Sequence, residues 1–512
     1  MNKSAIRKIV IVGGGTAGWM SAACLAKVLD GLNYQITLVE SAEIPTVGVG
    51  EATIPPIVDF IRFLGINEQE FVRATNATFK LGIQFEGWRT SDSRYFHQFG
   101  ALGCAIDGLP FYHFWLRAKQ QGDQTVLSQF SPAARMAAQN KFVPASFGSQ
   151  DSLLAGSSHA WHFDASLVAK YFSEYAQQKG VTRIEANVLE TTLDDASDIA
   201  SLRLEAATVV STLEGDLFID CTGFQGLLIE QALGAGYQDW TEFLPCDRAV
   251  AIQSESVGQI TPYTRAIAEP AGWRWRIPLQ TRVGNGYVYC SQFLDQDDAQ
   301  AHLLSQIDGK PVTEPKHLRF VTGHRRSIWK QNCVAIGLSA GFLEPLESTG
   351  IHLIMRGIRR LIELLPATRD CAAQAQEYNQ SLIAEYTAIR DFLVLHYATT
   401  QRDDTPFWRH CGAISIPESL AHKLALFKAS GYLKPESHDL FEYNNWLAVL
   451  EGMGVRAEHT NPRINSVAPE EAAKILQQLD AALGKMSDAA PSHEAFIQRY
   501  VIDNKLEKQK AG

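Results

Sequence analysis

The stretch IVIVGGGTAG, residues 9–18, decides the fold of this chain. A short β-branched run ends in three glycines, and an alanine-rich segment with helical spacing follows at residues 17–29. Residues 34–40 show a second strand pattern that ends in an acid. A strand, a glycine turn, a helix and a second strand in this order predict the opening of a dinucleotide-binding α/β fold.

Each glycine of the GxGxxG pattern has a separate physical task. Gly13 permits the tight turn, Gly15 lets the backbone approach a pyrophosphate, and Gly18 lets the helix pack closely on the strand. Glu40 stands 22 residues after Gly18, where a ribose-binding carboxylate is expected, although an ordinary exposed acid at a strand end is the alternative. The motif predicts these cofactor-binding residues: Gly13, Gly15, Thr16, Ala17, Gly18 and Glu40.

Two later segments favour FAD over NAD as the dinucleotide. The stretches FIDCTG at 218–223 and AIGLSAG at 335–341 are apolar strands that end in small-residue turns. Each alone could be a plain strand-to-helix turn. Together with residues 9–18 they resemble the three separated FAD-contacting segments of flavin monooxygenases, and Gly337 and Leu338 then join the cofactor-binding residues. No second GxGxxG follows a strand pattern, so reduced flavin is expected from a separate NAD(P)H-dependent flavin reductase.

Composition narrows the class of protein. The chain has 512 residues, 46% of them apolar, and a formal net charge of −10, which argues against nucleic acid or an anionic membrane as a partner. No two of its eight cysteines have CxxC spacing, so we expect no metal site and reduced thiols in a cytoplasmic protein. The apolar run at 9–12 is too short for a signal peptide or a membrane span.

The sequence pattern predicts two regions. Residues 1–365 are expected to form an FAD-binding domain, with an irregular, aromatic-rich insertion on the substrate side at about 92–165. Residues 366–512 read as a mostly helical region, with breaks near 406, 412 and 417, that covers the substrate site. The predicted fold class is therefore α/β: a Rossmann-like FAD-binding fold of the flavin-monooxygenase type with a helical C-terminal region.

The stretch GWRWRIP at 272–278 points to a particular family of flavoproteins. Its W-x-W-x-I-P pattern resembles the signature of flavin-dependent tryptophan halogenases. The alternative is an aromatic edge strand that ends at a proline. In the family this segment separates the organic substrate from the flavin, a role that the resemblance assigns here to Trp273, Trp275, Ile277 and Pro278.

The stretch TFKLGI at 78–83 resembles the family segment that carries the active-site lysine, which is Lys80 here. A lone lysine is ordinarily a solvated surface charge. The apolar neighbours of Lys80 favour partial burial, which disfavours the charged ammonium. The resulting amine could form a chloramine with hypohalous acid, or could hydrogen-bond and orient that acid.

Two further segments extend the resemblance. VGVGEATIP at 47–55 is similar to the family's strap over the flavin and adds Val49 and Ala52 to the cofactor contacts; GFLEPLESTGI at 341–351 adds Ile351. The second segment also implies a halide site at Thr349 and Gly350, with a plain helix N-cap as the alternative. Glu347 matches the carboxylate that assists proton loss, and Glu344 is the competing candidate.

The expected substrate contacts are partly divergent. HQFG at 97–100 resembles the family's His-Pro-Phe-Gly, with Gln98 in place of proline. Tryptophan-specific members of the family resemble one another in a segment with two adjacent tyrosines; the matching segment here, 395–408, has only one of them and ends in TPFW. Pro406 is expected to break a helix within this segment. Free tryptophan is therefore a doubtful natural substrate, because its buried charges would lack partners. The substrate-binding residues expected from these segments are His97, Phe99, Ser348 and Trp408.

The resemblance implies an FADH2-dependent halogenase that uses oxygen and chloride or bromide on an electron-rich, indole-type aromatic, with a homodimer as a compatible assembly. A flavin-dependent monooxygenase or hydroxylase is the alternative on the same fold. A non-catalytic flavin-binding protein is the alternative from another class, and the presence of Lys80 and Glu347 speaks against it.

Overall fold

A computed structural model describes residues 5–43, 50–149, 152–207, 209–436 and 439–502 of the chain. It contains the strands β1 Lys8–Val12, β2 Gln35–Glu40, β3 Gly50–Ala52, β4 Thr78–Lys80, β5 Gly82–Glu86, β6 Arg94–Gln98, β7 Ala160–Asp164, β8 Thr182–Glu185, β9 Asn187–Leu193, β10 Ile199–Ala206, β11 Val209–Glu214, β12 Leu217–Asp220, β13 Tyr237–Asp239, β14 Arg248–Glu255, β15 Thr264–Glu269, β16 Gly272–Pro278, β17 Arg282–Tyr289, β18 Lys316–Arg319, β19 Gly323–Arg325, β20 Trp329–Lys330, β21 Cys333–Ala335 and β22 Gly341–Phe342. It contains the helices α1 Thr16–Val28, α2 Pro56–Leu64, α3 Glu68–Ala74, α4 Phe111–Gln120, α5 Pro132–Ala138, α6 Ala165–Gln178, α7 Gln296–Gln306, α8 Gly350–Glu363, α9 Ala372–Ala398, α10 Pro406–Gly412, α11 Glu418–Ser430, α12 Tyr443–Gly452, α13 Pro469–Ala489 and α14 His493–Ile502.

The chain divides into two compact units, and both are assembled from separated stretches. Unit 1 comprises Met1–Asn76, Phe163–Thr241 and Arg319–Thr387; unit 2 comprises Ala77–His162, Glu242–Leu318 and Ala388–Gly512. The boundary expected at residue 365 stays a prediction. No helix within the described ranges combines the length and apolar composition needed to cross a bilayer.

Unit 1 is built on the predicted dinucleotide-binding sheet. Its six strands lie in the order β20-β21-β12-β1-β2-β8. Strand β1, which is apolar after Lys8, occupies the interior of the sheet and runs parallel to β2 and β12. Within this sheet only β20 is antiparallel to its neighbour. Helix α1 follows β1 and packs on α6 and α8. Two three-stranded antiparallel sheets, β11-β10-β9 and β13-β19-β22, also belong to this unit.

Unit 2 is built on a second sheet, with strand order β18-β14-β17-β16-β15-β5-β6. Neighbouring strands from β14 through β17 and β16 to β15 form antiparallel pairs, whereas β15 and β5 are parallel. Helix α12 packs against β6, and the short strand β4 pairs with the first residues of β7 and contacts α14. The mostly helical C-terminal region is confirmed by α9 to α14.

The structure excludes one alternative reading and corrects two local expectations. Strand β16 lies between β15 and β17, so the W-x-W-x-I-P segment is not an edge strand. The stretch 92–165 contains β6, α4, α5 and β7, because its aromatic residues supply apolar helix faces. Helix α9 already ends at Ala398, and Pro406 begins α10, where its missing N–H costs nothing.

Candidate functional site

The glycine turn after β1 has the geometry that a pyrophosphate cradle needs. Gly13 has φ +111°, and a Cβ there would overlap the carbonyl of Cys221. A Cβ on Gly18 would overlap the carbonyl oxygen of Gly13, which confirms the close helix–strand packing. Gly15 immediately precedes α1, and a Cβ there would meet no heavy atom within 4 Å. The turn is therefore closed on the protein side and open beside Gly15.

The three loops expected to contact FAD end neighbouring strands. β1, β12 and β21 are adjacent and parallel, and their loops begin at Gly13, Cys221 and Ile336. Ligands in open α/β sheets bind at this carboxyl edge. Gly337 has φ +81°, and a Cβ there would lie 2.8 Å from the Cβ of Ala17. The structure therefore brings the first and third loops into direct contact.

Glu40 is placed at the end of β2, but its carboxylate already has partners. One oxygen accepts the indole N–H of Trp19 at 3.3 Å, and the other pairs with Arg183. These contacts are typical of an acid at a strand end that pairs with other protein residues. They favour that alternative over ribose binding. Its cofactor role stays a prediction.

The remaining flavin-side residues lie in unit 1. Leu338 is 41% exposed, whereas Ile351 and Ala52 are buried. Val49 lies outside the described residues. Beside Ala52, burial raises the pKa of Glu51 to about 7. The open space beside Gly15, the half-buried N-terminus of α1 and the small residues at 13–18 fit the pyrophosphate of an FAD molecule.

The predicted halide turn lies immediately before α8. Ser348 adopts a left-handed conformation with φ +60°, and Thr349 precedes the first helical residue, Gly350. Thr349 makes no side-chain cap, and its buried hydroxyl oxygen has no hydrogen-bond partner among the described residues. A Cβ on Gly350 would meet nothing within 4 Å. Capping by Thr349 thus does not explain this turn, and an anion beside the helix N-terminus fits it.

Both candidate carboxylates are fully buried. Glu344 is 0% exposed and Glu347 is 1% exposed, so burial does not distinguish between them. A single 3₁₀ turn, Pro345–Glu347, precedes the helix; Glu344 comes immediately before this turn and Glu347 ends it. Glu344 therefore lies outside the first turn of α8.

A buried ionic cluster supports the helix that follows the halide turn. His352 Nε2 lies 2.6 Å from one oxygen of Glu385, and Arg356 Nε donates to the other oxygen at 2.6 Å. Burial alone would raise the pKa of Glu385, but the hydrogen bonds and charges of His352 and Arg356 hold it below its usual value. Sequence reasoning assigned His352 no role, because its partner is 33 residues away on α9.

In unit 2, Lys80 is the last residue of β4 and is 0% exposed. Its Nζ lies 5.1 Å from the ring centroid of Phe99. On the opposite strand face, Phe79 stacks on Phe142 at 4.3 Å and meets Phe496 edge-on. This aromatic cluster anchors the strand, and so positions the amine of Lys80 next to a predicted substrate residue.

The face of β4 that carries Lys80 also carries a polar chain. Thr78 donates its hydroxyl to the carbonyl of Pro278 at 2.6 Å, so its oxygen accepts from His162 Nδ1 at 3.1 Å. His162 Nε2 lies 2.9 Å from Thr264 Oγ1. Burial and, secondly, the charge of Lys80 hold the pKa of His162 well below its usual value. The lysine strand and the end of the W-x-W-x-I-P strand are thereby tied together.

The W-x-W-x-I-P strand is a buried wall within unit 2. Trp273 and Trp275 are 1% and 8% exposed, and their rings lie 6.1 Å apart. Gly286 on β17 makes room for Trp275, because a Cβ there would overlap the indole. Ile277 and Pro278 are also buried.

His97 and Phe99 lie at the end of β6, and both are buried. His97 packs beside Phe392 at 5.6 Å and Phe441 at 6.1 Å, and its Nε2 lies 3.0 Å from Asn445 Nδ2. Sequence reasoning missed these three neighbours. The stretch FEYNNW at 441–446 offered the only signal, a cap pattern before a helix, and that signal does not indicate which strand the helix meets.

Trp408 is 0% exposed, and its indole N–H already donates to the carbonyl of Glu269 at 2.9 Å. Arg402 lies 4.7 Å over its ring. These are the contacts of a core residue, and substrate binding by Trp408 stays a prediction. The predicted site residues thus fall into two groups, one within each unit.

Comparisons with known proteins identify the family of this chain. A sequence profile of the tryptophan halogenase family matches residues 8–469. The chain is 36% identical to tryptophan 6-halogenase of Streptomyces toxytricini, over 97% of this chain and 99% of the relative. A flavin-dependent halogenase from Xanthomonas campestris has a solved structure with a TM-score of 0.93 and 44% identity, over 97% of this chain and 99% of that one. Another, from Brevundimonas sp. BAL3, has a TM-score of 0.92 and 41% identity, over 96% and 99%. The chain therefore belongs to the tryptophan halogenase family of enzymes.

Proposed function

We propose that this chain is an FADH2-dependent halogenase that transfers chlorine or bromine from hypohalous acid to an electron-rich aromatic ring. The observation that carries the proposal is the position of Lys80, fully buried, on a strand tied to Pro278 and with its amine 5.1 Å from Phe99. A buried lysine is costly without a task, because its ammonium loses hydration.

The flavin is expected to bind at the loops after β1, β12 and β21, with Gly15 beside the pyrophosphate. When bound in its reduced form, FAD supplies the oxygen chemistry that converts halide into hypohalous acid. Thr349 and Gly350 hold the halide through the helix N-terminus and the buried hydroxyl. A separate NAD(P)H-dependent reductase supplies the reduced flavin, so the purified chain alone should not oxidise NADH.

Lys80 then holds the halogen donor, either by hydrogen-bonding hypohalous acid or as a chloramine. The aromatic ring forms a carbon–halogen bond as the bond between the halogen and its donor atom breaks. Hydroxide leaves if the donor is hypohalous acid. If the donor is a chloramine, whose formation has already released water, the nitrogen of Lys80 leaves and regains a proton. The cationic ring must next lose a proton from the same carbon. Glu347 accepts that proton, a task for which a buried carboxylate is suited. The released hydroxide gains a proton and becomes water.

The substrate is proposed to be an indole, or a larger indole-bearing molecule, rather than free tryptophan. Asp404, in the segment at 395–408, is an acid that could pair with the ammonium group of free tryptophan, but Arg402 already binds it through two hydrogen bonds of 2.7 and 2.9 Å. Hydrogen bonding by Arg402 is the main reason that the pKa of Asp404 lies below its usual value. Tyr397 is buried, with its hydroxyl 3.8 Å from Cys246 Sγ. The groups that would pair with a zwitterion are thus engaged within the protein.

The test is a bromination assay with FAD, a flavin reductase, NADH and a panel of indoles and phenols, read by mass spectrometry. Lys80→Ala should yield no brominated product while still reoxidising flavin and releasing peroxide. Lys119→Ala, which removes a lysine of α4 whose ammonium donates to the carbonyl of Thr125, is the control and should retain activity. Full turnover without halide would instead identify a hydroxylase, and bromination by Lys80→Ala would refute the role of the lysine.

A further inference from the structure

The first turn of helix α12 contacts His97. The ring is 1% exposed in β6 and lies beside Phe392 and Phe441. Its Nε2 is 3.0 Å from the side-chain nitrogen of Asn445, in the first turn of α12. The two residues are 348 positions apart in the sequence.

The amide of Asn445 can adopt only one orientation at this cap. The backbone N–H of Glu442, the residue before α12, lies 2.9 Å from Asn445 Oδ1. A backbone N–H can only donate, so the atom that it meets must be the amide oxygen. The amide nitrogen then faces His97 and can only donate. His97 Nε2 is therefore the acceptor, and the ring proton resides on Nδ1.

We propose that Asn445 is a positioning residue that holds His97 as a neutral, Nδ1-protonated imidazole. This inference rests on the proposed function, in which His97 contacts an aromatic substrate. Halogenation passes through a cationic ring, and an imidazolium beside that ring would oppose it by like-charge repulsion. A neutral imidazole presents an uncharged π face instead. The cap of α12 thus sets the charge state of a substrate-contacting group.

Asn445→Asp is the most informative variant. It retains the oxygen that accepts from Glu442 and replaces the donating nitrogen with a second acceptor, so it preserves the cap and moves a proton onto His97 Nε2. The control is Asn444→Asp, the same change one residue earlier. The backbone carbonyl of Asn444, rather than its side chain, accepts a hydrogen bond from Gln98.

Two measurements test the proposal. Nitrogen NMR of histidine-labelled protein, with the His97 signal identified by its loss in His97→Gln, should show an unprotonated Nε2 in the wild type and in Asn444→Asp. Asn445→Asp should show a protonated Nε2, and its kcat for bromination should fall about tenfold or more, with a smaller change in KM. A conservative Asn445→Gln variant should recover part of the rate, because it restores an amide donor.

A protonated Nε2 in the wild type would overturn the proposal. The wild-type spectrum alone tests the proposed tautomer, even if Asn445→Asp does not fold. A protonated Nε2 in Asn445→Asp combined with wild-type kcat would overturn its catalytic consequence. Failure of the proposed function is distinct, because absence of brominated product from the wild type would leave the NMR result unaffected.

Discussion

Replacing Gly15 with alanine should separate flavin binding from folding. A Cβ on Gly15 would meet no heavy atom of the protein within 4 Å, and the residue has φ −75° and ψ −173°, which alanine adopts without strain. The added methyl group would occupy the open space where the pyrophosphate is expected. The protein should therefore fold normally and bind FAD poorly.

The magnitude follows from the two environments of the residue. Alanine before a helix is less favourable than glycine by at most about 1 kcal/mol, so the melting temperature should fall by about 2 °C or less. Displacing a phosphate from one backbone amide removes a charge-assisted hydrogen bond of about 1.5–3 kcal/mol. The Kd for FAD should rise about 10- to 100-fold.

Two companion variants make the experiment specific. In Gly18→Ala the Cβ would overlap the carbonyl oxygen of Gly13, and neither backbone can rotate away, so a loss of about 1–3 kcal/mol or more of stability is expected. In Gly484→Ala on α13 the nearest atom, from Arg135, is 4.0 Å away, so FAD affinity should be unchanged. Stability should stay the same or rise by up to about 1 kcal/mol, because alanine is more favourable than glycine inside a helix. Calorimetric FAD titration and thermal denaturation measure the two effects. Wild-type FAD affinity in Gly15→Ala would refute the proposed position of the pyrophosphate.

Three further predictions concern carboxylates and substrate. Glu347→Gln should slow product formation by about one to three orders of magnitude in single-turnover bromination, and a larger loss in Glu344→Gln would assign the proton transfer to Glu344. Burial raises the pKa of Glu51 to about 7. As the pH rises from the usual glutamate pKa to about 7, the carboxyl ionises more readily in the unfolded chain than in the folded protein, so the folded state loses stability progressively. Urea unfolding of flavin-free Glu51→Gln should therefore show a gain of up to about 3 kcal/mol at pH 8 and almost none at pH 4, whereas equal gains at both pH values would contradict the burial argument. Indole should outcompete free tryptophan in a mixed bromination reaction, and a large kcat/KM preference for tryptophan would reveal a head-group site.

The polar partners in the site could not be read from the chain. His97 meets Asn445 across 348 residues, and Phe79 donates its backbone N–H at 3.2 Å to His493 across 414 residues. Burial lowers the pKa of His493 to about 4, which keeps this histidine an acceptor. A secondary-structure propensity or a motif reflects only residues that are close in sequence, so it does not indicate which distant element packs against a given residue.

By itself the sequence determined the strand–turn–helix opening, the α/β class and the family, because these depend on local requirements. Only glycine satisfies the turn at Gly13, and an apolar run such as β1 must be buried. Only the tertiary structure decided that β16 is an interior strand, that Arg402 engages Asp404, and that Asn445 faces His97. The physical reason is that hydrogen-bond direction and burial depend on long-range packing, which local sequence patterns do not specify.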